Sequence, residues 1–287
     1  MRILSPAKIN LFLRVTGQRA DGYHELFTLM SCVGLADTID LYFETNGIII
    51  RCDHPQVPRD SGNLAYRAAA LFFKRSGIPA GVAITIDKKI PVAAGLGGGS
   101  SNAAAVLKAL NRHFNNPFSL DQLGKMAAGL GADVPFLLYG RPALATGIGD
   151  RLVPYPLLRQ YPVIIINPGF SVSTAETYKN YCFGLTNDKK NINNHSFIER
   201  TAFDAATHLV NDLESVTAAR HPEIDRAKQR LLDHGATGAL MSGSGPSVFG
   251  IFPDAQIAEQ AFNSLIGQAN ERIFLTELLT GEDTAQG

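Results

Sequence analysis

The 287-residue sequence has no net charge: 26 Lys and Arg stand against 26 Asp and Glu. A chain without basic excess has little with which to neutralise a phosphodiester backbone, which argues against a nucleic-acid partner. Cysteine is scarce: Cys32, Cys52 and Cys182 are widely spaced and form no CxxC pair. That argues against a zinc ribbon or a disulfide framework, and an odd number of thiols suits a reducing cytoplasm. No apolar run in the sequence reaches the ~18 residues of a membrane span. The start, MRILSPAKIN, leads into charged residues in place of a signal-peptide core. The expectation is a soluble cytoplasmic protein with no membrane partner. What is present is globular: 45% apolar and 18% charged residues. Such a chain buries roughly 75% of its unfolded surface, in one large domain or two lobes. The basic clusters Lys88-Lys89, Lys189-Lys190 and Arg226/Lys228/Arg230 read as solvated faces.

Hydrophobic periodicity orders the elements. In AKINLFLRV (7–15), Ile9, Leu11, Leu13 and Val15 alternate with Lys8, Asn10, Phe12 and Arg14, the pattern of a half-buried strand. Lys8 and Asn10 then share the face turned away from the core. Further strands are expected at 38–43, 47–52 and 82–87, and a helix over 62–75. Helical spacing resumes after residue 102. Ser119 and Gln122 form a capping box for another helix, which stops near Gly129. Asp133-Val134-Pro135 opens a short helix, with proline tolerated in its first turn. Three prolines in VPYPLLRQYP (153–162) mark a lobe boundary. Beyond it come a strand (163–167), an Asn-rich loop (187–197), a helix (222–234), strands at 238–242 and 247–252, a helix (254–266) and a strand (272–278). That order matches a ferredoxin-like split βαβ unit. The expected division is 1–154 and 155–279, with a frayed tail at 280–287.

The segment PVAAGLGGGSS, Pro91, Val92, Ala93, Ala94, Gly95, Leu96, Gly97, Gly98, Gly99, Ser100 and Ser101, lies between a strand and a helix. Glycine there lets backbone N–H groups converge on an anion, and the helix start adds partial positive charge. The loop 95–99 is too glycine-rich for helix or strand. The alternative is a tight loop with a serine cap. No lysine follows as a Walker A motif requires, Ser100 stands where GxGxxG needs its last glycine, and GxSxG is absent. A second cluster, Ser242-Gly243-Ser244-Gly245-Pro246-Ser247, reads by itself as a hairpin turn.

Taken together, PVAAGLGGGSSNAAA and MSGSGPSVFGIF resemble the two glycine motifs of the GHMP kinases (galacto-, homoserine, mevalonate and phosphomevalonate kinases). SPAKINLFLRV, DGYHEL and GADVPFLLYG resemble the branch acting on a cytidyl-diphospho sugar alcohol in non-mevalonate isoprenoid precursor synthesis. The resemblance covers residues 1–175 and 238–252; 179–237 carries no matching motif. It implies an α+β, two-lobed GHMP-kinase-like fold: an N-terminal α/β lobe with a mixed sheet and a C-terminal ferredoxin-like lobe. The site lies in the cleft between them. It also implies ATP as donor and a 2-hydroxyl acceptor. Mg²⁺ is expected because phosphoryl transfer from ATP nearly always uses it, and the expected state is a monomer or weak homodimer.

In that family reading residues 91–101 bind ATP. Asp133 is the general base; by position alone it would be an N-cap. Lys8 holds the acceptor oxygen and Asp133 in line, where an ordinary strand lysine would be solvated. Asn10 hydrogen-bonds the substrate, or else is an edge residue. Tyr23 and His24 read cytosine, with Tyr178 on the other side of the base; a surface-loop pair is the plainer alternative. Thr174 contacts the substrate diphosphate, and Gly243, Ser244 and Gly245, within the 243–247 cluster, line the cleft near it. No residue is singled out as a metal ligand.

Overall fold

Two long antiparallel strands, β1 (Arg2–Gln18) and β2 (His24–Tyr42), carry the first half of the chain in the computed structural model. The structure describes residues 1–43, 45–181, 202–267 and 271–281. Cys182, Lys189-Lys190, the Asn-rich 187–197 and residues 282–287 of the tail lie outside the described residues.

β1 covers one edge of β2 along its whole length. The other edge is shared by β5 (Ala143–Gly147), β11 (Arg272–Leu279) and β4 (Val82–Asp87). β3 (Ile48–Arg51) pairs in parallel with β4, so this sheet is mixed. The strand expected at 38–43 is thus the end of a much longer one. The strict alternation expected in 7–15 also fails. Register shifts between Pro6 and Lys8 and between Asn10 and Phe12 bulge the strand. Ile9, Leu11 and Phe12 enter one apolar cluster, whereas Leu13 and Val15 enter another. A bulge re-aims side chains in this way, and here it points Lys8 and Asn10 into a cleft. Neither is solvated: they are 4% and 3% exposed.

Helices α1 (Leu64–Ser76), α2 (Gly98–His113), α3 (Leu120–Ala128) and α4 (Val134–Tyr139) cover one face of this sheet. Asn63 caps α1 by accepting from Ala65 N, and Ser119 and Gln122 close the expected capping box. Gly129 ends α3 at φ −72, so its freedom at positive φ is not what stops the helix. Gly98 and Gly99, expected in the loop, form the first turn of α2.

After β6 (Arg151–Pro154) the chain enters β7 (Pro162–Asn167), α5 (Thr174–Asn180), β8 (Val210–Asn211), α6 (Glu214–Ala218) and α7 (Glu223–Asp233). It closes with β9 (Gly238–Met241), β10 (Val248–Ile251), α8 (Ala255–Leu265) and β11. The order β11-β7-β10-β9, antiparallel throughout, is the ferredoxin-like arrangement. Both faces are covered, which explains the continuous apolar run of β7. Ile164 and Ile166 meet α7 and α8; Val163 and Ile165 join the cluster shared with β1. Tyr155 and Leu158, from the proline-rich boundary, are buried in that shared cluster. The basic cluster at 226–230 is ion-paired: Arg226 with Glu223, Lys228 with Glu214 and Arg230 with Glu271. No helix among the described residues is long and apolar enough to cross a membrane.

Candidate active site

A cleft of about 1290 Å³ brings together β1, the N-terminal half of β2, the glycine segment, the start of α4, α5 and the second glycine cluster. At its centre Lys8 donates from Nζ to Asn10 Oδ1 at 2.7 Å. Asn10 Nδ2 donates to Thr28 Oγ1 at 2.9 Å, and Thr28 Oγ1 donates to the Phe12 carbonyl at 2.6 Å. This chain fixes the amide so that its oxygen faces the ammonium. Across the cleft, Asp133 Oδ2 lies 3.5 Å from Lys8 Nζ. Asp133 stands at the N-cap of α4, yet its side chain makes no capping hydrogen bond there. Its carboxylate is 38% exposed and therefore open to a ligand.

The glycines have divided tasks. At Gly95 (φ +77), a Cβ would lie 2.1 Å from the Ser242 carbonyl oxygen; at Gly97 (φ +68), 3.0 Å from Lys8 Cγ. These two let the second cluster and the lysine approach the backbone. Gly98 and Gly99 open the α2 N-terminus, where unpaired N–H groups and the helix dipole favour an anion. Ser242 Oγ donates to Gly95 O at 3.0 Å and Ser247 N to Ala94 O at 3.3 Å, so the two glycine-rich segments are bonded together.

Several expected site residues face elsewhere. Leu96 is buried in the cluster between the two sheets. Ser101 is 2% exposed and donates to Pro6 O at 2.6 Å. Gly245 lies behind the wall, its Cβ position 2.5 Å from Met241 Sδ, and Ser247 is fully buried. Gly243 and Ser244 do line the cleft, and Ser244 Oγ shares a 2.8 Å hydrogen bond with Thr174 Oγ1. Pro91 to Gly95, Gly97 to Ser100, Tyr23, His24 and Tyr178 also line it.

The three aromatic residues expected at the base lie together at one end of the cleft. The ring stacked on Tyr178 is that of His24, at 5.2 Å and 28°, with Tyr181 edge-on to His24 at 6.1 Å. Tyr23 is 61% exposed. Burial pushes the Tyr178 hydroxyl pKa up, and the nearby Asp133 charge adds to that. Burial lowers the His24 pKa from its ordinary 6.5, which favours the neutral ring. A folded value below the unfolded one means that stability from this residue is complete above about 6.5. It is lost as the pH falls through that value towards the lower folded pKa. The expected result is a Tm that drops on acidification across this window, with His24→Gln removing that part of the slope. A slope unchanged by the substitution would refute the assignment.

Sequence reasoning missed the part of the cleft wall lined by Gln56, Val57, Pro58, Asn63, Leu64 and Lys88, of which Leu64 and Lys88 lie against the glycine segment. Lys88, expected on a solvated face, has a side chain only 6% exposed and is paired with Asp37 at 2.6 Å. A basic pair at a strand end carries no signal for this, since its partner comes from another strand.

The chain matches the model described as GHMP kinases N terminal domain over residues 63–141 and that described as GHMP kinases C terminal over 183–271. Fold and cleft therefore define a GHMP kinase, a phosphotransferase with ATP as co-substrate. The chain is 48% identical to 4-diphosphocytidyl-2-C-methyl-D-erythritol kinase of Syntrophus aciditrophicus, over 91% of this chain and 93% of the relative. It is also 48% identical to the kinase of that name from Syntrophotalea carbinolica, over 96% and 97%. A crystal structure of 4-(cytidine 5'-diphospho)-2C-methyl-D-erythritol kinase superposes with a TM-score of 0.79 at 37% identity, covering 98% of this chain and all of that one. The chain belongs to the 4-diphosphocytidyl-2-C-methyl-D-erythritol kinase family.

Proposed function

We propose that the enzyme transfers the γ-phosphoryl group of ATP to the 2-hydroxyl of 4-diphosphocytidyl-2-C-methyl-D-erythritol. The products are the 2-phosphate ester and ADP. The observation that carries the residue assignment is the 3.5 Å approach of Lys8 to Asp133 in a cleft walled by glycine-rich backbone and aromatic rings. Asp133 accepts the hydroxyl proton as the acceptor oxygen bonds to the γ-phosphorus and the bond to the ADP oxygen breaks. Lys8, oriented by Asn10 and Thr28, holds the acceptor oxygen in line and offsets charge on the transferring group. Asn10 thus acts through Lys8 as well as on substrate. Backbone N–H groups of Gly97 to Ser100 at the start of α2 hold the triphosphate.

Mg²⁺ is expected with the nucleotide. Among the described residues no three His, Cys, Asp or Glu side chains cluster to hold a metal. The cleft presents Asp133 and Ser100 as oxygen donors beside the glycine segment, which fits an ion carried mainly by phosphates and water. When bound, the ion neutralises phosphate charge.

Tyr23, His24 and Tyr178 receive the cytosine, and Thr174, Gly243 and Ser244 the diphosphate. Cytoplasmic action as a monomer or weak homodimer, with lobes at 1–154 and 155–279, belongs to the same reading. The test is ADP release with the cytidylylated substrate against the same sugar phosphate lacking the cytidylyl group. Turnover of the first alone is expected; equal turnover of both overturns the acceptor assignment. Tyr23→Ala is expected to raise KM for the cytidyl substrate by roughly 10-fold or more, the loss of one base stack, with KM for ATP unchanged. Equal weakening of both substrates would remove Tyr23 from base recognition.

A further inference from the structure

Asp37 is fully buried and lies outside the cleft, yet its carboxylate gathers four donors. Oδ1 accepts from Lys89 N and Ile90 N, both at 2.8 Å; Oδ2 accepts from Lys88 Nζ at 2.6 Å and Asn102 Nδ2 at 2.9 Å. Residues 88–90 lead into the glycine segment, and Asn102 follows it in α2. One carboxylate therefore binds both ends of the segment. Asn102 Nδ2 also donates to Ser5 Oγ at 2.9 Å, and Ser5 Oγ to Ser101 Oγ at 2.8 Å, which fastens the assembly to β1. Lys88 Nζ sits 2.8 Å from the Cβ position of Gly98, over the first turn of α2, and lines the cleft.

We propose that Asp37 is a positioning residue for ATP: it sets the spacing of the glycine segment and holds the Lys88 ammonium at the α2 N-terminus, where the nucleotide phosphates bind. The proposal rests on the nucleotide reading of this end of the cleft. A point charge held over a helix N-terminus adds to the anion site already formed by its N–H groups. Burying that charge has a cost, and the Lys88 pKa is lowered from its ordinary value by burial, with Asp37 acting in the opposite direction. Cys52 and Arg272 are the other titratable groups that act on it, Cys52 raising its pKa and Arg272 lowering it. Without the Asp37 charge, Lys88 loses its proton at a lower pH.

The test is steady-state kinetics on Asp37→Asn beside the wild type. KM for ATP is expected to rise roughly tenfold or more, the scale of a lost hydrogen bond to a charged group, with KM for the acceptor unchanged. KM for ATP should also begin to climb at a lower pH in Asp37→Asn than in the wild type as the solution is made alkaline. In a Lys88→Gln background, Asp37→Asn should add much less to KM for ATP, because part of its action passes through the lost ammonium. A rise shared equally by both substrates, or an unchanged KM for ATP in a folded variant, overturns the proposal. Should Asp37→Asn not fold, Asn102→Ala releases the other end of the segment, and an unchanged KM for ATP there has the same consequence. Failure of the wild type itself to release ADP would instead strike the nucleotide reading.

Discussion

Asp133→Asn is expected to lower kcat by about 10²–10⁴-fold, the usual worth of a general base, while KM for ATP stays near the wild-type value. The substitution is nearly isosteric. Asp133 makes no side-chain capping bond, so α4 does not depend on its charge. Its contact to Lys8 is 3.5 Å with the carboxylate more than a third exposed, a geometry that contributes at most about 1 kcal/mol to stability. The fold should therefore survive and the chemistry should not. Lys8 retains its hydrogen bond to Asn10, so ammonium and acceptor pocket stay in place. What is lost is the acceptor for the hydroxyl proton. Single-turnover kinetics at saturating ATP separate this from a binding defect. Phosphoryl transfer within a few-fold of the wild type would take Asp133 out of the mechanism.

The second large effect is structural, at Gly95. In Gly95→Ala the new methyl would stand 2.1 Å from the Ser242 carbonyl oxygen, a backbone atom that cannot rotate aside, at a φ of +77. Left-handed strain and forced separation together cost about 2–4 kcal/mol. For a chain of this size that lowers Tm by roughly 4–10 °C. The two glycine-rich segments must part, straining the bonds from Ser242 Oγ to Gly95 O and from Ser247 N to Ala94 O. KM for both substrates is expected to rise, since each segment serves one of them. Gly99→Ala is the matched control. A Cβ there meets only Leu64 Cδ1, at 3.7 Å, so the melting temperature should barely move. If thermal denaturation finds Gly95→Ala as stable as the control, the close approach of the two segments is not required.

Legibility in the sequence followed the range of the interactions. Capping at Ser119 and Gln122, the short helix opened by Asp133-Val134-Pro135 and the strand Val82–Asp87 rest on neighbours a few residues apart, so periodicity and cap chemistry suffice to find them. The long strand β2 was seen only at its end, because its first half is buried on both faces and lacks alternation. Leu96 and Ser101 were placed in the phosphate site by their position within a motif. The structure turns both inward, since backbone, not side chain, forms that wall. That Tyr178 stacks on His24 is likewise a matter of packing between segments far apart in the chain.

From its residues alone the chain declared a protein of no net charge, built of strands and helices, with two glycine-rich segments, a lysine on the first strand and an aspartate at a helix start. These are local statements, governed by hydrogen bonds and periodicities within a turn or a strand. Only the tertiary structure decided that a bulge aims Lys8 across the cleft at Asp133, that Gly95 exists for Ser242, and that Asp37 gathers both ends of the glycine segment. Each of these joins residues distant in the chain. Sheet order and close packing fix such meetings, and no short stretch of sequence encodes them.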